Sequence, residues 1–344
     1  MPNDVLTRAI DALCAGDHLT ADHTAAVLEE VMGGRSSEIQ TGAFLIALRA
    51  KGETVAELVG LARTMRSLSE PVDTGRDDLV DTAGTGGGPS TFNISTAAAL
   101  IAAGAGCAVA KHGNRSATSR SGSADLLEAL GVQIELGPAE VARCIEETGF
   151  GFMFAPRYHQ AMKHVVPVRK ELAVRTIFNF LGPLTNPAGA RRQVLGVSDR
   201  RYQETIAEAL VALGSERALV VTAADGTDEL SLWDENRVIE VRNGRTEEWF
   251  ADPAELGLAA ASREAVAGGS PEENAAVVRS VLEGQAGPAR DVSVFNAAAA
   301  ILAAGRAADL PEGIRQAQEA IDSGAARGVL EQVAKLSAEL APAA

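Results

Sequence analysis

Between residues 81 and 127 the chain reads DTAGTGGGPSTFNISTAAALIAAGAGCAVAKHGNRSATSRSGSADLL, with glycines, hydroxyls and basic residues packed among apolar segments. Leu79 and Val80 read as the end of a strand, and the GTGGG turn from Gly84 to Gly88 then leaves one side chain in five positions. Backbone N–H groups can close on a ligand in such a turn. Asn93, Ser95 and Thr96 stand where a helix would begin, ahead of the alanine-rich run 97–103. A helix N-terminus carries partial positive charge and free N–H donors, so it favours an anion. A second loop, KHGNRSATSRSGS, adds formal charge through Lys111, Arg115 and Arg120 beside Ser116, Thr118, Ser119 and Ser123. Two such loops in one segment point to a phosphorylated ligand. Neither a GxxxxGK[ST] loop nor a GxGxxG turn is present, so ATP or NAD held in the usual ways is not expected.

The chain around this segment has 344 residues, 46% of them hydrophobic, with a mean hydropathy of +0.05. That is enough for a substantial core and for two domains. The net charge of −15, from 31 Lys plus Arg against 46 Asp plus Glu, argues against nucleic-acid or membrane partners, so an anion has to be caught by a local basic pocket. Cys14, Cys107 and Cys144 are far apart without CxxC spacing, which suggests buried thiols and neither zinc nor a disulfide framework. The N-terminal MPNDVLTRAIDALC has no basic start followed by an apolar core, and no apolar run approaches the roughly 18 residues that span a bilayer. A cytoplasmic location is expected.

Residues 4–70 carry apolar positions at helical spacing, with Thr20 and Thr54 as starts for two helices. The segment 70–75, EPVDTG, reads as the connection to a second domain. Beyond it, short β-branched runs alternate with helical stretches, the pattern of a sheet covered by helices. Strands are expected at 108–110, 132–136, 151–155, 194–197 and 218–222, and helices at 123–130, 138–147 and 202–213. A hairpin joins 238–241 to 247–250 through Asn243-Gly244. From Pro271 onward the chain reads as alanine-rich helix whose alternating charges suggest a solvated outer layer.

Two further segments carry chemistry. In 151–187 the aromatic residues Tyr158, Phe178 and Phe180 and the Pro183 turn are suited to a flat ligand, while His159, Lys163, His164 and Arg169 offer donors. Ordinary core packing of the two phenylalanines is the competing reading. After the strand RALVVT, the loop AADGTDELS presents Asp225, Asp228 and Glu229, and adjacent Asp228 and Glu229 opposite a phosphate pocket suit Mg²⁺.

The two phosphate loops, the block YHQAMKHVVPVRKELAVRTIFNFLGPLTNPA and DGTDELS together resemble the anthranilate phosphoribosyltransferase family, over nearly the whole chain and in the family's order. The resemblance implies an α/β fold with a separate small all-α N-terminal domain. The helical domain would span 1–72, joined by part of 160–188, beside an α/β phosphoribosyl-binding domain over 73–344 whose mainly parallel sheet is flanked by helices. It implies a homodimer formed through the helical domain and transfer of the phosphoribosyl group of phosphoribosyl pyrophosphate to the amine of anthranilate, in tryptophan biosynthesis.

Carried over by motif, phosphoribosyl pyrophosphate would meet Gly84, Gly87, Gly88, Thr91, Asn93, Ile94, Ser95, Thr96, Lys111, His112, Gly113, Asn114, Arg115, Ser116, Ala117, Thr118, Ser119 and Ser123. Anthranilate would meet Gly84, Asn114 and Arg169, with His112, His159 and Pro183 lining its approach. Ser95, Asp228 and Glu229 would hold Mg²⁺, two ions in this family's usual arrangement. Lys111 and Arg169 would act by stabilising and positioning rather than as a strong base. The chain departs from the family at one point: where members commonly show GTGGDG, Gly88 replaces the Asp, Pro89 follows, and the loop is one residue shorter. Two alternatives are a pyrimidine nucleoside phosphorylase, which needs no acidic metal pair, and a non-catalytic nucleic-acid-binding relative, which the net charge opposes.

Overall fold

A computed structural model describes residues 2–116 and 120–341; the expected ligand contacts at Ala117, Thr118 and Ser119 lie outside these. Four helices come first, α1 (Asp4–Cys14), α2 (Ala21–Met32), α3 (Glu38–Lys51) and α4 (Val55–Ser67). Each begins at a residue whose side chain accepts from the first turn: Asn3, Thr20, Ser37 and Thr54. Thr54 closes a capping box with Glu57. Glu57 is fully buried, accepts from the Leu19 N–H at 2.8 Å and ion-pairs with Lys51 at 2.9 Å. The pair thereby fixes the α1–α2 connection to the start of α4.

The sheet region then opens with β1 (Leu79–Gly84), α5 (Ile94–Gly104), β2 (Ala108–Gly113), α6 (Ser123–Ala129), α7 (Pro138–Thr148) and β3 (Phe150–Phe154). The short helices α8 (Ala155–Tyr158), α9 (Val166–Leu172) and α10 (Phe178–Leu181) lead to β4 (Arg192–Gly196), α11 (Gln203–Ala212) and β5 (Arg217–Ala223). The hairpin is β6 (Asn236–Arg242) and β7 (Arg245–Ala251), with Asn243 at φ 53° in its turn. Four helices follow, α12 (Pro271–Leu282), α13 (Pro288–Ala303), α14 (Leu310–Asp322) and α15 (Ala325–Leu340). Among the described residues no helix is long and apolar enough to cross a membrane.

The strand order is β3-β2-β1-β4-β5-β6-β7, parallel from β3 to β5 and antiparallel through the hairpin. The chain leaves β1 toward β2 on one side and returns to β4 on the other. That reversal makes the carboxyl ends of β1 and β4 the place where an open α/β sheet forms a ligand crevice. Alternation along the strands divides the core in two. Leu219 and Val221 of β5 face one core, built with α5 and α13, while Ala218 and Val220 face another, shared with α1–α4, α9, α10 and α11. Val165, Val168, Ile177, Phe178 and Phe180 belong to that second core, so part of 160–188 packs with the N-terminal helices.

Of the three thiols expected to be buried, Cys107 and Cys144 are, but Cys14 at the end of α1 is exposed. Two further expectations fail for physical reasons. Residues 132–136 are not a strand: Val132, Ile134 and Leu136 are buried and Gln133 and Glu135 exposed, the alternation of an extended chain, yet no strand among the described residues pairs with it. Its backbone groups bond elsewhere, the Val132 N–H to the Leu127 carbonyl at 2.9 Å, the Gln133 N–H to Ser337 Oγ at 3.0 Å and the Leu136 carbonyl to the Tyr158 hydroxyl at 3.1 Å. Period-two burial reports a half-covered extended segment and says nothing of a ladder. The C-terminal region is also not simply an outer layer. Every residue of α13 from Val292 to Ala303 is buried, and this helix packs directly on α5. The small alanines of both helices permit that close approach, and Gly313 of α14 continues it, because a Cβ there would meet the Ala298 carbonyl at 2.8 Å.

Candidate active site

The carboxyl ends of β1, β2, β4 and β5 gather the charged residues. Lys111, near the end of β2, is buried; its Nζ donates to the Thr82 carbonyl at 2.5 Å and to Thr82 Oγ1 at 3.1 Å, and lies 3.4 Å from Ser95 Oγ. Burial pushes its ammonium pKa down, against the charges of Asp81 and Glu229, which push it up. Ser95 lies in the first turn of α5, and its backbone N–H donates to Glu229 Oε1 at 3.2 Å. The neighbouring carboxylate, Asp228 Oδ2, accepts from the Gly86 N–H at 2.7 Å. Asp228 and Glu229 keep part of their surface open while the surrounding protein desolvates them. Desolvation raises both pKa values; for Glu229 the adjacent Asp228 charge adds to it and Lys111 opposes it, leaving the carboxyl at about 8. An acidic pair so disfavoured in its charged form is a fit for a hard cation.

Glycine at 84 is required by this geometry, since a Cβ there would fall 2.4 Å from Asp228 Oδ2. Gly88 has an equally direct reason. A Cβ would sit 2.3 Å from the Gly226 carbonyl, so no side chain has room there.

The lysine lies where the sheet splays. β1 and β2 pair only at Leu79↔Ala108 and Val80↔Val109, although both strands run four residues further. Beyond that point side chains replace the ladder. Asp81 Oδ1 accepts from the His112 N–H at 3.2 Å, and Asn186 Nδ2 donates both to Asp81 Oδ2 and to the Ala110 carbonyl, each at 2.8 Å. Asp81 is 1% exposed, and burial raises its pKa while Lys111 and these hydrogen bonds lower it. The sequence reading missed Asp81 and Asn186. An acidic residue inside the apolar run LVDT was the available signal, because a buried carboxylate demands partners.

Not every cation expected at the phosphate loops is free. Arg115 is exposed and engaged by Asp125 and Glu128, with its guanidinium 5.5 Å from the Phe154 ring centre, and Arg120 pairs with Glu273 at 3.4 Å. Asn93 stands at the N-terminus of α5 but does not cap it. Its side chain donates to the Ser121 carbonyl at 3.1 Å and accepts from Asn274 at 2.9 Å and Ser121 Oγ at 3.2 Å, tying α5, the second loop and α12 together. Ile94 and Thr96 are buried, and the Thr96 hydroxyl has no partner among the described residues. Thr91 forms an isolated bridge with Ala267. Gly113 ends β2; the exposed Asn114 accepts from Ser123 Oγ at 3.3 Å and the Ala124 N–H at 3.2 Å through its carbonyl, and the Ser116 N–H meets Asp125 at 3.2 Å.

The second group of expected residues comes together around the turn at Pro183. His112 and His159 are buried with ring centres 5.1 Å apart. Each Nε2 lacks a partner among the described residues. Burial holds their pKa values down, to about 3 for His112 and about 4 for His159, with the nearby His159 adding to the effect at His112. Backbone hydrogen bonds at Gly182 and Thr185 oppose these shifts, and the Pro183 carbonyl between them accepts from Gln193 at 2.6 Å. Arg169 on α9 is half-buried, its guanidinium 5.6 Å from the ring centre of Phe178, and no hydrogen bond or ion pair occupies it among the described residues. Tyr158, Phe178 and Phe180 are core residues, Phe180 stacking on Tyr202 at 4.3 Å. Lys163 and His164 are exposed, and His164 lies over Gly34 at the end of α2.

A cleft of about 390 Å³ opens at the switch point between Gly87, Arg175, Ser198 to Arg200 and Ala223 to Gly226. Arg175 and Ser198 are two more residues that the sequence reading passed over. Ser198 Oγ donates to the Gly86 carbonyl at 2.7 Å.

Known proteins similar to this chain identify its family. A model described as "Glycosyl transferase family, helical bundle domain" matches residues 7–69, and one described as "Glycosyl transferase family, a/b domain" matches residues 76–327. The anthranilate phosphoribosyltransferase of Symbiobacterium thermophilum is 51% identical over 326 residues, 94% of this chain and 96% of its own length. That of Rubrobacter xylanophilus is 50% identical over 339 residues, 98% and 99% of the two chains. Among solved structures, anthranilate phosphoribosyltransferase from Thermus thermophilus superposes with a TM-score of 0.91 at 47% identity, covering 96% of this chain and 99% of that one. The Saccharomyces cerevisiae enzyme in complex with PRPP and Mg gives 0.89 at 28% identity, covering 97% and 98%. The chain belongs to the anthranilate phosphoribosyltransferase family.

Proposed function

We infer that the crevice beside β1 carries the family's reaction. The chain transfers the 5-phosphoribosyl group of phosphoribosyl pyrophosphate to the amine of anthranilate, giving N-(5-phosphoribosyl)anthranilate and pyrophosphate in tryptophan biosynthesis. The observation that carries this assignment is the meeting of Lys111, Ser95, Gly86, Asp228 and Glu229 through direct contacts at the carboxyl end of the sheet. A nucleoside phosphorylase has no use for the acidic pair that closes this group.

The glycine turn 84–88 and the start of α5 receive the phosphates through backbone N–H groups, with Thr91, Ser95, Thr96 and the 111–123 loop around them. Ser95, Asp228 and Glu229 hold magnesium, two ions in the full complex. Among the described residues no group of three or more His, Cys, Asp or Glu side chains is placed for a metal. Two carboxylates and a hydroxyl leave the other coordination positions to water and ligand phosphate, the arrangement Mg²⁺ prefers. Bound there, the ions offset the negative charge that gathers on the departing pyrophosphate.

The nucleophile needs no strong base. The aromatic amine is neutral at pH 7, and His112 and His159, neutral at that pH, wall its approach without adding charge. Arg169 takes the anthranilate carboxylate in its unoccupied guanidinium fork, with Asn114, Pro183 and Gly84 completing the pocket. The remaining acceleration comes from holding amine and anomeric carbon in line.

The enzyme works as a homodimer in the cytoplasm. Its contact is the face of α3 where Ile39, Ala43, Ile46 and Ala50 are exposed at helical spacing, with Ile39 85% exposed. Loss of anthranilate fluorescence that requires both phosphoribosyl pyrophosphate and Mg²⁺ tests the reading. Fluorescence that persists with folded protein, alongside phosphate-dependent cleavage of a pyrimidine nucleoside, would transfer the chain to the phosphorylase reaction.

A further inference from the structure

The glycine turn is held from outside by a residue that neither phosphate loop contributes. Arg175, in the segment after α9, donates from one terminal nitrogen to the Gly86 carbonyl and from the other to the Thr85 carbonyl at 3.2 Å. Its guanidinium fills the space a side chain at Gly87 would take, since a Cβ there would fall 1.4 Å from Nη1. The Arg175 carbonyl in turn accepts from Arg49 on α3 at 2.8 Å. On its other side the turn is tied to the acidic pair through the Gly86 N–H and Asp228. These contacts form an unbroken line from the N-terminal helices through Arg175 and Gly86 to Asp228.

We propose that Arg175 is a positioning residue for the phosphoribosyl pyrophosphate site, fixing the glycine turn in its ligand-receiving shape and coupling it through Arg49 to the helical region. The proposal rests on the reading of the crevice given above. A turn with consecutive glycines loses more conformational freedom on ordering than any other. A planar fork that clamps two successive carbonyls restricts that freedom before the ligand arrives, which a point-charge ammonium cannot do with the same geometry. Arg169 sits three residues before the end of α9 and serves the other substrate, while Ala173, in the left-handed region at φ 52°, turns the chain so that Arg175 reaches the loop.

Amide hydrogen exchange across residues 85–88 of the ligand-free protein tests the clamp without requiring turnover, so its result stands even if the assigned reaction fails. Arg175→Gln should speed exchange there by about tenfold or more and raise the KM for phosphoribosyl pyrophosphate by about ten- to a hundredfold, the effect of losing hydrogen bonds from a charged donor. The KM for anthranilate should stay unchanged. Arg49→Ala should move both readouts in the same direction by less. Arg175→Lys guards against a misfolded glutamine variant and should fall between wild type and Arg175→Gln. Unchanged exchange at 85–88, wild-type behaviour of the lysine variant, or equal rises in both KM values would overturn the proposal.

Discussion

Two loops at the same end of the sheet handle charge in opposite ways. The KHGNRS loop advertises arginines, but in the fold Arg115 is matched by Asp125 and Glu128, and Arg120 by Glu273, at exposed positions. The DGTDELS loop places Asp228 and Glu229 side by side where desolvation disfavours both charges, with Lys111 as the nearby buried cation. Charge that is already paired on the surface contributes little to stability or to a ligand. Charge left unbalanced in a partly desolvated crevice is poised for a metal and a phosphate. The proposed location of function follows the imbalance rather than the count of basic residues.

The comparison breaks most sharply at the acidic pair. Asp228→Asn combined with Glu229→Gln should cut turnover by at least about 10²–10³-fold, the scale of losing charge stabilisation in a transition state, while circular dichroism stays native. Removing two mutually repelling carboxylates should also leave the thermal midpoint no lower than wild type. Retained Mg²⁺-dependent turnover would mean that the imbalance has another purpose.

The histidine pair should dominate acid sensitivity. The unfolded chain takes up protons near pH 6.5 that His159, with a folded pKa of about 4, refuses. Its stabilising contribution is therefore complete above about 6.5 and is lost as pH falls toward 4, a change of about 3 kcal/mol at most. His159→Asn should flatten the dependence of urea midpoint on pH across that window, and an unchanged slope would assign the acid response elsewhere.

Arg169→Ala should raise the KM for anthranilate by about ten- to a hundredfold and leave that for phosphoribosyl pyrophosphate nearly unaltered; steady-state kinetics in each substrate decides it. The smallest effect belongs to the paired loop. Arg115→Ala should cost under about 1 kcal/mol of stability and shift the phosphoribosyl pyrophosphate KM far less than Arg169→Ala shifts that of anthranilate. A larger kinetic change would show that Arg115 leaves its acidic partners for the ligand.

The helical N-terminal region was legible because its signals are local: Thr20 and Thr54 are caps by chemistry, and Asn243-Gly244 is a turn by backbone preference. The acidic pair and Lys111 were legible through short motifs. The residues missed share the opposite property. Asp81, Asn186 and Arg175 acquire meaning only when segments 76 to 105 residues apart meet. Residues 132–136 show the same limit, since alternation fixes which side chains are covered and a ladder depends on a distant neighbour. Asn93 was recognised as a helix-start residue, yet Ser121 and Asn274 claim its side chain.

The contact between Gly88 and the Gly226 carbonyl bears on how this loop can change over generations. Placing any side chain at 88 requires the backbone around Gly226 to retreat first, and the same loop carries Asp228 and Glu229. Substitutions in the two loops are therefore order-dependent: a side chain at 88 becomes tolerable only after the partner loop has shifted, and each intermediate on that path must still hold Asp228 in place. A glycine at 88 thus acts as a ratchet, easy to enter by losing a side chain and hard to leave by regaining one.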